Sequence, residues 1–181
     1  MAEQKPSAIY LKDYTVPNFL IDKTELTFDL DETQTIVTSR LHLRRNPESK
    51  VQTSALVLDG GEDVKLIGVA IDDYALPEQE YTIKDDKLII TATPNEFVLT
   101  CETMIEPQNN TKLEGLYRSS SMFCTQCEAE GFRHITYYLD RPDVMSIFTT
   151  TIIGDELCVG AILCNLTTLN GDNPVGLLYG G

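Results

Sequence analysis

The sequence has no tryptophan and only two histidines, His42 and His134, which lie 92 positions apart in a chain of 181 residues. It contains no His-Glu-x-x-His, no Gly-x-Ser-x-Gly and no glycine-rich phosphate loop. Those motifs supply the zinc ligands, the serine nucleophile and the phosphate cradle of common enzyme classes. Their absence argues against a self-contained enzyme of a familiar kind.

Basic residues are scarce as well. The chain has 14 Lys and Arg against 28 Asp and Glu, which gives a formal net charge of −14. Phosphate recognition requires clustered basic side chains, and anionic membrane surfaces attract them too. We therefore expect neither nucleic acid nor a membrane as a partner.

Long apolar runs are missing, both at the N-terminus and in the rest of the chain. Residues 1–6 hold no apolar core of a secretory signal, and no stretch approaches the roughly 20 residues of a membrane helix. The five cysteines are odd in number, which favours reduced thiols over a disulfide framework. These features predict a cytoplasmic protein.

What is present is an alternation of apolar and polar residues, the pattern of half-buried strands. In residues 24–31, Leu26, Phe28 and Leu30 share one face, and residues 35–45 alternate in the same way. The polar residues 31–34 lie between the two segments. The pattern predicts a β-hairpin.

Further short apolar runs follow at the spacing that is typical of sandwich strands. They cover residues 55–58, 66–71, 81–83, 88–91, 97–105 and 147–153, with Gly-Gly and Asp-Asp pairs between several of them. No window of eleven or more residues keeps a helical period. We predict a mostly β fold, an antiparallel β-sandwich or saddle-shaped sheet.

The segment 124–134 concentrates reactive side chains. Cys124 and Cys127 form a Cys-x-x-Cys pair, which could be half of a zinc site or a redox pair. A structural zinc site needs four ligands, and a redox pair of the thioredoxin type needs a βαβ context that the pattern lacks. Two small buried thiols are the interpretation that the residues favour.

The charged residues of this segment also have two interpretations each. His134 could be a base or a ligand, or a hydrogen-bonded structural group. Arg133 could form an ordinary ion pair with Glu128 or Glu130, and the two glutamates could simply belong to a solvated loop. The residue pattern alone leaves these alternatives open.

The run Leu-Glu-Gly-Leu-Tyr at 113–117, followed by Cys-Thr-Gln-Cys-Glu-Ala-Glu-Gly-Phe-Arg-His at 124–134 and Ile-Thr-Tyr-Tyr-Leu-Asp-Arg-Pro-Asp-Val at 135–144, carries a resemblance. It closely resembles the N-terminal domain of the bacterial aminopeptidase N family, zinc aminopeptidases of the gluzincin group. The similarity extends over about residues 8–154. It implies a saddle-like β-sandwich that precedes a thermolysin-like catalytic domain.

The resemblance also implies residue roles. The Glu of the family's Thr-Gln-x-Glu-Ala loop, here Glu128, is expected to bind the free α-amine of a peptide substrate. The Gln, here Gln126, is expected to line the pocket for the first side chain. Glu130, Arg133 and His134 are expected to support the loop.

The sequence departs from that family in two ways. It has no His-Glu-x-x-His, so no zinc site is expected in this chain, although zinc is implied for the parent enzyme. Residues 155–181 match nothing in the family pattern, contain no Lys or Arg, and are expected to form a divergent tail. We therefore expect an N-terminal recognition domain that is cut off before its catalytic domain and that hydrolyses nothing by itself.

Two other hypotheses remain from the residues alone. The chain could be a free-standing β-sandwich binding or interaction module without a peptidase role. A weaker alternative is a protein that binds a metal through its thiols.

Overall fold

The computed structural model describes residues 14–51, 53, 55–120 and 122–154, together with the backbone of residues 175–177. Within these residues no helix is long and apolar enough to cross a membrane. The described strands are β1 (Phe19–Leu30), β2 (Thr35–Arg45), β3 (Leu56–Asp59), β4 (Lys65–Ile71), β5 (Tyr74–Ala75), β6 (Tyr81–Lys84), β7 (Lys87–Ile90), β8 (Glu96–Ile105), β9 (Gly115–Ser119), β10 (Met122–Gln126), β11 (Ile147–Ile153) and β12 (Val175–Leu177). Short 3-10 turns lie at Pro107–Asn109 and Phe132–His134.

The strands form three sheets. The largest has seven strands in the order β12-β11-β1-β2-β8-β4-β5, and a smaller sheet has the order β3-β7-β6. Strands β9 and β10 form a separate hairpin. One apolar core joins buried residues of the two larger sheets, so the mostly β architecture predicted from the alternation is confirmed.

The predicted hairpin of residues 24–45 is confirmed as β1 and β2, which pair antiparallel over almost their whole length. The pairing skips Asp22, and this bulge changes which face the alternation points to. As a result Ile21 and Thr24 are both buried, although they are three positions apart. The bulge keeps a long strand apolar on its inner face at both ends.

Two of the predicted turns are two-residue hairpin turns made of aspartates. Asp72 and Asp73 join β4 to β5, and Asp85 and Asp86 join β6 to β7; all four have positive φ. Type I′ turns require positive φ at both central residues, and Asp tolerates that conformation better than most residues. The Asp-Asp pairs therefore terminate strands at defined positions.

Strand β11 differs from the antiparallel pattern that the sequence predicts. It pairs in parallel with β1, and β12 pairs in parallel with β11. A parallel neighbour needs a long crossover connection, and the whole chain between Leu30 and Ile147 provides it. The sheet is mainly antiparallel, with a parallel edge.

The segment Ile135–Leu139 is buried between the sheets, and every one of its residues is nearly inaccessible to solvent. The hydroxyls of Thr136 and Ser39 lie 3.1 Å apart, and Thr103 Oγ1 donates to the carbonyl of Ile135. Tyr138 pairs through its backbone with Asp59 at the end of β3. This segment fixes the chain that immediately precedes it, which carries the candidate site.

The reactivity of the Cys101 thiol, in the central strand β8, gives a test of this buried core. It is completely buried, and burial raises the pKa of its thiol from 9.0 to about 12. Because the thiolate is the species that reacts with alkylating reagents, the folded protein should leave Cys101 unmodified by iodoacetamide at pH 8. Peptide mapping should find Cys101 labelled only after unfolding in urea.

The half-buried Cys124 is the comparison thiol within the same chain. Labelling of Cys101 in native buffer as fast as that of Cys124 would contradict the burial of Cys101 in β8.

Candidate functional site

The residues singled out from the sequence lie in one loop and the turn that follows it. Gln126 is the last residue of β10, and residues 127–131 lead into the 3-10 turn Phe132–His134. Strand β10 pairs with β9 in register from Met122 opposite Ser119 to Gln126 opposite Gly115. The loop that follows β10, called here the 126–130 loop, therefore begins at the end of this hairpin.

The 126–130 loop presents its polar side chains to solvent. Gln126, Glu128 and Glu130 are exposed, and the side-chain amide of Gln126 donates to the backbone carbonyl of Glu128 at 3.1 Å. The peptide bond between Glu128 and Ala129 is cis. Within the described part of the chain, the Glu128 carboxylate enters no ion pair. It is available to a cationic group from outside the domain.

The base of the loop is closed tightly at Gly131. Its amide donates to the Cys127 carbonyl at 2.9 Å, and the residue is buried. A Cβ at position 131 would lie 2.6 Å from the Gln126 carbonyl oxygen and 2.9 Å from Cys127 Cα. No real Cβ tolerates such distances from backbone atoms, so the loop closes here because the residue is glycine.

Arg133 connects the turn to the chain downstream. Its Nε lies 2.9 Å from Asp140 Oδ2, its backbone amide donates to the same carboxylate, and its Nη2 donates to the Asp140 carbonyl. Its Nη2 is also 3.5 Å from Glu130 Oε2. Burial lowers the pKa of Arg133, but the hydrogen bond to Asp140 and the negative charges of Asp140, Asp59 and Glu130 together raise it above its ordinary value. The guanidinium is thus a fixed charge beneath the loop.

The His134 ring packs against Gly61, which lies in the turn after β3. A Cβ at Gly61 would lie 2.5 Å from His134 Nδ1, so the ring fills the space that this glycine leaves. Its Nε2 is 3.3 Å from Glu114 Oε2 and its Nδ1 is 3.8 Å from Asp63 Oδ2. The ring is therefore held by shape and lies between two carboxylates.

An aromatic cluster anchors the turn to the large sheet. The Phe132 ring contacts Tyr138 at 4.6 Å and Phe148 of β11 at 5.8 Å between centroids. Burial raises the pKa of Tyr138, whose hydroxyl lies 3.5 Å from that of Thr24. Edge-to-face contacts of this kind contribute about 0.5–1.5 kcal/mol beyond the area that they bury.

The structure brings the five predicted site residues together, and it adds three that the sequence analysis did not find. Arg133 does contact Glu130, but its stronger partner is Asp140, while Glu114 and Asp63 flank His134. Asp140 lies only seven residues from Arg133, in the same motif. The other two come from distant segments, and no sequence spacing connects them with the turn.

The described residues do not fit a zinc ion. They contain no group of three His, Cys, Asp or Glu side chains arranged to hold a metal. His42 lies instead 3.2 Å from Glu25 on the outer face of β1 and β2. Cys124 and Cys127 are half-buried. The described residues therefore form a β-sandwich module that holds a carboxylate-bearing loop.

The family model of the Peptidase M1 N-terminal domain matches residues 21–170, and the chain belongs to this family. It is 45% identical to Escherichia coli aminopeptidase N over 162 residues, which are 90% of this chain and 18% of that protein. It is also 45% identical to Caulobacter vibrioides aminopeptidase N over 155 residues, 86% of this chain and 18% of the relative. The chain therefore spans less than a fifth of the length of these relatives.

Solved structures agree with this assignment. Legionella pneumophila aminopeptidase A, in complex with aspartic acid, matches with a TM-score of 0.71 and 32% identity over 78% of this chain and 17% of that one. An M1 zinc metallopeptidase from Deinococcus radiodurans shares the fold at 14% identity, with a TM-score of 0.60 over 75% of this chain and 32% of that one. The resemblance found in the sequence is confirmed.

The predicted division at residue 154 stays a prediction. The match to the family model continues to residue 170. The expected divergent tail, 155–181, lies outside the described residues apart from the backbone of 175–177.

Gly131 gives a direct test of how the loop is closed. Gly131→Ala should destabilise the protein by about 1–3 kcal/mol, because the new Cβ has to displace the Gln126 carbonyl and the Cys127 backbone. Urea unfolding measures the difference.

Gly68→Ala is the matched control, since a Cβ at position 68 meets no atom within 4 Å. A Gly131→Ala protein as stable as Gly68→Ala would contradict the close approach at the base of the loop.

Proposed function

We propose that this chain is the substrate-recognition domain of an M1 zinc aminopeptidase, an enzyme that removes N-terminal amino acids from peptides. In this proposal Glu128 binds the α-amine of the substrate, and Gln126 lines the pocket for its first side chain. The observation that carries the proposal is the exposed carboxylate of Glu128, which forms no ion pair within the part of the chain that the structure describes. It lies on a loop held by the Gly131 backbone, by Arg133 and by His134. Membership of the family supports it.

The chemistry of an exopeptidase explains why a carboxylate is needed. The enzyme has to distinguish a terminal ammonium from an internal amide, and a carboxylate forms a charge-assisted hydrogen bond only with the ammonium. Such a bond contributes about 1.5–3 kcal/mol. Because it also fixes the distance from the amine to the scissile carbonyl, a rigid support for the carboxylate matters as much as its charge.

The catalytic step belongs, in this proposal, to a partner domain. The relatives are more than five times as long as the stretch that they share with this chain, and zinc would be held in that remaining part. The proposed partners are accordingly the catalytic domain and the N-terminus of a peptide. By itself the chain should be inactive, and we propose a cytoplasmic location. Zinc-dependent release of alanine from an alanyl-arylamide by the purified chain would refute its inactivity.

Glu128→Gln tests the amine contact. The host is E. coli aminopeptidase N in which residues 21–154 of this chain replace the matching segment. Loss of the negative charge should lower kcat/KM for alanyl-arylamides by about 10- to 100-fold, because the ammonium loses its charged partner in the transition state as well as in the bound substrate.

Glu130→Gln is the matched control, since it removes a carboxylate from the same loop but only weakens a contact with Arg133. Its kcat/KM should change less than threefold, on the scale of an exposed ion pair. Equal kinetics for Glu128→Gln and the unsubstituted chimera would refute the role of Glu128. In that event the hypothesis of a free-standing interaction module would gain support from a stoichiometric partner unrelated to peptidases.

A further inference from the structure

His134 occupies a site with an excess of negative charge. Asp63 and Glu62 face it from the turn after β3, and Glu114 faces it from the residue before β9. Among the described residues Lys112 is the cation of this group, and it is already shared between Glu62 and Asp63. From its own turn, Arg133 is engaged by Asp140 and Glu130. Three carboxylates therefore surround the ring with a single ammonium among them.

The two ring nitrogens point to different carboxylates. Nε2 is 3.3 Å from Glu114, and the buried Nδ1 has no hydrogen-bond partner within the described residues, with Asp63 Oδ2 3.8 Å away. Each ring nitrogen therefore lies beside a carboxylate from a different segment of the chain.

Two backbone hydrogen bonds connect His134 to the 126–130 loop. Its amide donates to the Gly131 carbonyl at 3.2 Å, and the Gly131 amide donates in turn to the Cys127 carbonyl at 2.9 Å. Cys127 directly precedes Glu128. A displacement of the ring therefore shifts the hydrogen-bonded base from which the Glu128 side chain projects.

From this geometry we infer that His134 is a positioning residue for the 126–130 loop. Its ring lies between Asp63 and Glu114, which come from two distant segments, and so connects both segments with the turn beneath Glu128. This inference rests on the proposed function only for its effect on catalysis. The effect on the loop itself is a property of this chain.

Amide hydrogen exchange in the 181-residue chain tests the inference without an active enzyme. His134→Gln and the double variant Asp63→Asn/Glu114→Gln should each increase the exchange rates of the Gly131 and His134 amides by about tenfold, since the contacts between the ring and its two carboxylates are lost. In the double variant the ring stays in place, and its two carboxylates are about half exposed, so the core is preserved.

The other histidine gives matched controls. His42 lies 3.2 Å from Glu25, a comparable contact, but on the outer face of the large sheet. His42→Gln and Glu25→Gln should leave exchange at Gly131 and His134 unchanged. If only His134→Gln increased exchange and the double carboxylate variant did not, ring shape alone would hold the turn and the inference would be overturned.

Kinetics of the chimera distinguish positioning from general destabilisation. His134→Gln should lower kcat/KM by about tenfold in the unsubstituted chimera but less than twofold when Glu128 is already glutamine, because the effect acts through Glu128. Equal losses in both backgrounds would overturn the catalytic part. If Glu128→Gln alone had no effect, the proposed function would fail, while the exchange result would still decide the role of His134 in the loop.

Discussion

The burial of Ile135–Leu139 between the two sheets is the constraint on which the rest of the site depends. This segment packs its side chains into the common core, pairs the backbone of Tyr138 with Asp59 at the end of β3, and lies against the hydroxyls of Ser39 and Thr103. Because its position is fixed, the turn just before it can carry exposed charge without being displaced. In the proposed function the loop holds a carboxylate at a set distance from a reacting bond, and that role needs such a foundation.

Charge in the site is arranged in two layers. Glu128 and Gln126 face solvent, whereas the groups beneath them are paired with one another: Arg133 with Asp140, and His134 with Glu114 and Asp63. The Arg133–Asp140 pair adds little net field at the tip of the loop, and the charge around His134 is negative, so the Glu128 carboxylate keeps its attraction for a cation. The strongly acidic composition is thus consistent with recognition of an ammonium group.

Much of the fold could be predicted because β-strands leave a local signal. The alternation in residues 24–45 locates β1 and β2, and Asp-Asp pairs locate two hairpin turns. The bulge at Asp22 and the parallel pairing of β11 could not be predicted, since both depend on how distant strands pack. The packing of the core determines which strands pair with each other, and the alternation within a single strand does not show its partners.

The candidate site, like the fold, could be predicted from the sequence only in part. The sequence by itself determined that chemistry is concentrated in residues 124–134, and the resemblance that those residues carry assigned Glu128 and Gln126 their expected roles. Only the tertiary structure decided what supports them, because Asp63 and Glu114 reach His134 from segments 71 and 20 residues away in the chain. Local residue types decide which groups are available. The long-range packing of the sheets decides which of them meet.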